Sequence, residues 1–234
     1  CARGGYGCVR IVDLVDFSSL LSQPKWIMGY SDVTVFLQHI NTLGVAGIHG
    51  AMPIDFEQQS PVVKRYFRQL LLEKRLGFEF SMQEVLRKKA SVTGRLFGGN
   101  LSVLYSLLCS KSCYNPKNGI LFLEDIDEHL YHIDRMFWAL RRAGIFDGLE
   151  ALLIGGMTDL KDNTKAFGFS NDNPFGLSLV EIVQQATAGF DFPVIFGFPV
   201  GHHSEHFPVI AGAEVSLSIE NNRAQLNYTN DGKA

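Results

Sequence analysis

KWIMGYSDVTVFLQHINTLG, residues 25–44, decides how the rest of the chain is read. Trp26-Ile27-Met28 is a short apolar run with strand character. Val33, Phe36, Leu37 and Ile40 then recur at helical spacing, and Gly44 suits a helix C-cap. Gly29-Tyr30-Ser31-Asp32 lies between them, so the pattern is strand, tight turn, helix. A serine on such a turn is lifted clear of the sheet, and the helix N-terminus offers unpaired N–H groups to a developing negative charge. Ser31 is therefore a candidate nucleophile, although Ser31 or Asp32 acting only as an N-cap explains the same residues.

Toward the N-terminus, Arg3-Gly4-Gly5-Tyr6-Gly7 reads either as a backbone cradle for an anion or as a plain turn. It matches neither a P-loop nor a dinucleotide fingerprint. Residues 9–21 read as one connecting helix that Pro24 ends. Downstream, residues 45–50 form a second short strand ending at His49, either turned to the same sheet edge as Ser31 or structural. Residues 60–73 are amphipathic and helical, and the polar residues 77–93, with Arg87-Lys88-Lys89, read as an inter-domain connection.

The second half opens on Gly98-Gly99-Asn100, either a backbone surface for a peptide-like substrate or a strand-to-helix turn with Asn100 as N-cap. Ile120-Leu121-Phe122-Leu123 is the continuous apolar run of a buried parallel strand, and it ends in Glu124-Asp125. A carboxylate there can orient a histidine and stabilise its imidazolium, although a solvated acidic loop capping the helix over 129–143 explains the same residues. Glu128, His129 and His132 permit a rival metal reading, but their order fits no HExxH motif. After a strand at 151–155 and a helix at 178–188, residues 193–196 lead into a glycine-punctuated loop with His202, His203 and His206. Residues 214–219 and 224–228 read as a closing antiparallel hairpin.

These pieces predict an α/β protein. An N-terminal doubly wound, mostly parallel domain over 1–76 carries Ser31, and a C-terminal α/β domain over 94–234 carries Glu124 and His202. With 234 residues, 46% hydrophobic and 19% charged, the chain can bury a substantial core. A formal charge of −3 points to neither nucleic acid nor an anionic membrane, and no apolar run approaches the roughly 18 residues of a membrane span. Cys1, Cys8, Cys109 and Cys113 lack CxxC spacing and read as buried free thiols of a reducing compartment.

Chain order Ser, Glu, His is that of α/β hydrolases, but Gly29-Tyr30-Ser31-Asp32-Val33 lacks the second glycine of their G-x-S-x-G elbow. Instead, RGGYG at 3–7, PKWIMGYSD at 24–32, His49-Gly50, GGNLS at 98–102, LFLEDIDEHLYHIDRM at 121–136 and FPVGHH at 198–203 together resemble the LD-carboxypeptidase family of serine peptidases. That family includes muramoyltetrapeptide carboxypeptidases and microcin-immunity peptidases. The resemblance implies Ser31 as nucleophile, Glu124 and His202 as its partners, and an oxyanion hole from backbone around Gly5 and Asp32, with no cofactor or metal. It implies release of terminal D-alanine from a cytoplasmic murein tetrapeptide by a homodimer. The form of residues 124–135 points to the muramoyl branch. Cleavage of a peptidyl-nucleotide or other amide, or a degenerate muropeptide-binding protein, are the alternatives. Arg3 and Arg135 are candidates for the substrate carboxylate, and Tyr30, Gly98, Gly99 and Asn100 for further substrate contacts. Family members carry a further α/β stretch before RGGYG, so the first domain is expected to be partial here, with sheet edges left unfilled.

Overall fold

Ile120-Leu121-Phe122-Leu123 lies at the centre of the molecule. Side chains alternate along a strand: Ile120 and Phe122 join one buried cluster with Ala151 and Leu153, while Leu121 and Leu123 join another with Leu152 and Ile154. A strand apolar on both faces must be covered on both, and each fully buried Leu, Ile or Phe contributes about 1.5–3 kcal/mol.

The structure is a computed structural model describing residues 1–73 and 77–229. Its strands are β1 (Met28–Gly29), β2 (Gly47–His49), β3 (Gly77–Ser81), β4 (Glu84–Leu86), β5 (Ser91–Asn100), β6 (Gly119–Ile126), β7 (Ala151–Thr158), β8 (Val194–Phe196), β9 (Val209–Ala211), β10 (Glu214–Glu220) and β11 (Arg223–Tyr228). Its α-helices are α1 (Cys8–Ile11), α2 (Ser19–Ser22), α3 (Thr34–Thr42), α4 (Pro53–Phe56), α5 (Pro61–Arg68), α6 (Leu101–Leu107), α7 (Leu130–Arg142) and α8 (Leu179–Ala186). The large sheet runs β3-β11-β10-β5-β6-β7-β8-β4, with β5 to β8 parallel and the flanks antiparallel. One face is covered by α6, α7 and α8, through residues such as Leu104, Phe137 and Val183. Val63 and Phe67 of α5 pack on the other. Mixed α/β architecture is thus as the sequence indicated, and so is the closing hairpin. Asn221 and Asn222 form its turn, both at positive φ, as a two-residue hairpin of this twist requires.

A second sheet carries the Ser31 turn. β1 pairs in parallel with β2, and β9 from the far end of the chain adds antiparallel to β2. The halves are joined again where α3 meets β5: Gln38 Nε2 donates to Gly98 O at 2.9 Å, and Asn100 N donates to Thr34 Oγ1 at 3.2 Å. Gly98 is required there, because a methyl at its α-carbon would lie 1.9 Å from Phe122 O.

Four expectations are corrected. Residues 77–93 are not a plain connection: they form β3, β4 and the start of β5, because Phe78, Phe80 and Val92 alternate with polar residues and fill the core. The expected boundary at residue 76 lies outside the described residues. Residues 9–21 do not form one helix, since Val15 is extended and Asp16 Oδ1 accepts from Ser18 N at 2.8 Å, a local turn that competes with the helix. The first strand begins at Met28 rather than Trp26, which is 43% exposed. Cys1 and Cys109 are exposed rather than buried, Cys109 standing at positive φ just beyond α6, although all four thiols are free. No helix among the described residues is long and apolar enough to cross a membrane.

Candidate active site

Ser31 opens the single 3-10 turn, Ser31–Val33, that links β1 to α3, and it stands at φ +58°. A left-handed serine is strained, costing on the order of 1 kcal/mol or more, and such strain marks positions held for a purpose. The glycine-rich loop lies directly against it: a methyl carbon built on Gly4 would stand 3.3 Å from Ser31 Oγ. Asp32 ties down the far end of that loop, its Oδ2 accepting from Cys8 N at 2.9 Å. Burial, reinforced by Asp32, pushes the Cys8 thiol up to about 12, so this cysteine stays protonated.

Glu124 is the last but two residue of β6 and is completely buried. Its Oε2 is 2.7 Å from His202 Nδ1. The loop after β8 delivers His202 there because Gly201, at φ +125°, brings its α-carbon so close that a methyl would be 3.1 Å from Glu124 Cβ. Thr158 Oγ1 donates to the His202 carbonyl at 3.2 Å and fixes the loop from β7. Burial works against protonation of His202, but the hydrogen bond and charge of Glu124, with Asp125 and Asp55 behind, outweigh it and raise the imidazole above its ordinary value. Its neighbour His203 turns away, 3.2 Å from Val200 O, and burial lowers its pKa. Tyr30, the residue before Ser31, has its ring centroid 4.8 Å from that of His202. Among the described residues Ser31 Oγ makes no hydrogen bond to the ring, a contact that often tightens only with substrate present.

The remaining candidates divide. Gly5 stands at φ +136° in the loop over Ser31, with open space where a side chain would be. Arg3, exposed beside it, donates from Nε to Gly4 O at 3.3 Å. Arg135 is exposed on α7 with its guanidinium 5.3 Å from the Tyr131 ring centroid. Gly98 and Gly99 are interior rather than open to a substrate: Gly98 abuts the Phe122 backbone, and a methyl on Gly99 would be 2.6 Å from Thr34. Asn100 has its expected N-cap role, its Oδ1 accepting from Val103 N at 3.1 Å while its Nδ2 donates to Asp125 at 2.9 Å. Tyr30 is likewise buried, its hydroxyl donating to Asp55 Oδ2 at 2.5 Å. Glu128 pairs with His132 Nδ1 at 2.5 Å while the His129 ring packs on Tyr131 and Phe169, and among the described residues no three His, Cys, Asp or Glu side chains gather as a metal site.

Sequence reasoning missed Asp55 and Asp125 as part of this neighbourhood. Asp125 is 2% exposed, accepts from Asn100, Ser102 N and Ile126 N, and is driven up to about 6, chiefly by burial. Its position beside Glu124 was a usable signal. Asp55 offered none, since only the fold brings α4 to Tyr30.

The LD-carboxypeptidase C-terminal domain matches residues 93–217 and the LD-carboxypeptidase N-terminal domain matches residues 1–50. The chain belongs to the LD-carboxypeptidase family. A Bacillus subtilis relative named "Probable murein peptide carboxypeptidase" is 33% identical over 97% of this chain and 70% of its own length. The murein tetrapeptide carboxypeptidase of Pseudomonas aeruginosa is 28% identical over 88% of this chain and 67% of its own. Among solved structures, the muramoyltetrapeptide carboxypeptidase from Oxalobacter formigenes superposes with a TM-score of 0.84 at 26% identity, over 97% of this chain and 77% of that one. The family is one of carboxypeptidases, and the fold described above is the LD-carboxypeptidase fold.

Proposed function

We propose that this LD-carboxypeptidase chain carries a serine peptidase site that removes the terminal D-alanine of a murein tetrapeptide through an acyl-enzyme. One observation carries the reading: a completely buried carboxylate, Glu124, 2.7 Å from the Nδ1 of a histidine whose ring rests on the residue preceding a strained, loop-covered serine. With Nδ1 engaged, His202 has Nε2 for proton transfer. Ser31 Oγ attacks the amide carbonyl as its proton passes to Nε2, and Glu124 steadies the imidazolium. Backbone N–H groups at Gly5 and Asp32 stabilise the oxyanion, an effect worth about 3–4 kcal/mol per donor in such sites. The imidazolium then protonates the leaving amine of D-alanine, and water, deprotonated by the same ring, releases the tripeptide.

An exopeptidase must also bind a free carboxylate. Arg3 suits this better than Arg135, because it adjoins Gly4, which lies against Ser31, whereas the Arg135 guanidinium rests on Tyr131. Arg3→Ala is expected to raise KM at least tenfold with little change in kcat; unchanged KM removes Arg3 from this role. Substrate identity rests on the names of the relatives, so the test is product analysis. Incubation with a murein tetrapeptide should release free D-alanine and the tripeptide, and a terminal L-alanine analogue should persist. Release of any other fragment contradicts the assignment.

A further inference from the structure

Behind His202 lies a cluster that the hydrolytic steps leave unused. Tyr30 is 9% exposed, and its ring is met edge-on by His206 at 4.5 Å and His49 at 6.1 Å, with His202 against it at 4.8 Å. Its hydroxyl is held by Asp55 Oδ2, and the other carboxylate oxygen, Asp55 Oδ1, accepts from Met52 N at 2.7 Å where α4 begins. The side chain is thus gripped by α4 at its tip and by two buried histidines, from β2 and the loop before β9, along its edge.

A single hydrogen bond at Nδ1 fixes one point of an imidazole and leaves the ring to swing about it. Where Nε2 points is then set by whatever packs on the ring, and here that is Tyr30, covalently joined to Ser31. Errors of about 1 Å in such alignments cost on the order of a hundredfold in rate. We propose that Asp55 and Tyr30 are positioning residues for the proton transfer: Asp55 pins the tyrosine hydroxyl, and the pinned ring holds His202 in register with Ser31. The inference rests on the reading of Ser31 as nucleophile and His202 as base.

Asp55 also acts on His202 electrostatically. The groups facing the imidazole are Glu124 and Asp125 from β6, Asp55 from α4, His49 from β2, and His203 and His206 from its own loop, and the three carboxylates all favour its protonated form. Replacing Asp55 by a neutral group therefore lowers the pH at which His202 loses its proton.

Tyr30→Phe, Asp55→Asn and the double variant, compared with the parent by kcat, KM, thermal unfolding and the pH profile of kcat/KM, test this. Tyr30→Phe should lose roughly tenfold or more in kcat with KM within about twofold. Asp55→Asn should lower kcat and move the acid limb to lower pH, and the double variant should be no slower than the slower single variant. An Asp55 that only begins α4 would lower the melting temperature and leave kcat above the acid limb at the parent's value, which overturns the proposal, as would full kcat in Tyr30→Phe or losses that multiply. If Tyr30→Phe does not fold, Asp55→Asn decides through kcat measured above its own acid limb: a loss of roughly tenfold or more at a parent-like melting temperature supports the proposal, and a parent-like kcat overturns it. Ser31→Ala separates the two levels: an inactive Ser31→Ala beside a fully active Tyr30→Phe removes only this inference, and an active Ser31→Ala removes the nucleophile assignment.

Discussion

Replacing His49 by Phe should flatten the dependence of stability on pH. His49 is completely buried, and neither ring nitrogen has a hydrogen-bond partner among the described residues. Burial, with Glu124 opposing and nearby His202 assisting, takes its pKa from 6.5 down to about 4. The unfolded chain therefore binds this proton first as pH falls, so stability is lost between 6.5 and about 4 and is complete above 6.5. That gap corresponds to about 3 kcal/mol, most of which is expressed between pH 7 and pH 4.5. Phenylalanine keeps the edge-on contact with Phe122 and has nothing to titrate. Urea unfolding at both pH values should show the parent losing about 2–3 kcal/mol more than His49→Phe. Asp125, driven up to about 6, acts in the opposite direction, but it is common to both proteins and cancels. At pH 7 the variant should be no less stable than the parent, because no buried nitrogen is left unpaired. Parallel loss of stability in the two proteins refutes the assignment of a neutral, desolvated histidine at the core of the site.

The acid limb of kcat/KM should fall above 6.5, because His202 must be neutral to accept a proton and its pKa is raised; a limb below that value contradicts the Glu124 pairing. Glu124→Gln should cut kcat by about 10³–10⁴ with KM little changed, whereas His203→Ala should stay within about tenfold of the parent; the reverse order in steady-state kinetics makes His203 the base. Gly98→Ala should cost at least about 3 kcal/mol in urea unfolding, since its methyl would fall 1.9 Å from Phe122 O; a parent-like curve means β5 and β6 are not so close.

Much of the scaffold was legible because it follows from local periodicity. Residues 120–123 are uninterrupted apolar sequence, and two-sided burial is the only stable place for them. Asn221-Asn222 is a turn by its own chemistry. The histidine and its carboxylate were legible as strand ends opening on one edge, and the structure brings Glu124 and His202 into contact. What was hidden is non-local. Nothing in Phe78, Phe80 and Val92 announces that they line a core shared with residues as distant as Val215 and Leu226, so their alternation was lost among charges. Gly98 and Gly99 looked like ligand-facing glycines, because close approach to a substrate and close approach to the chain's own backbone ask for the same residue. Asp55 joins Tyr30 only in the folded chain, 25 residues apart in sequence, and Tyr30 then turns from a surface candidate into an interior one.

The claim that Ser31 and His202 act as one catalytic unit is tested most directly by kcat for tetrapeptide cleavage in Ser31→Ala, His202→Ala and the double variant. Each single change should lower kcat by about 10⁴–10⁶, and the double variant should be little slower than either. Turnover within tenfold of the parent in Ser31→Ala, or losses that multiply in the double variant, would contradict it.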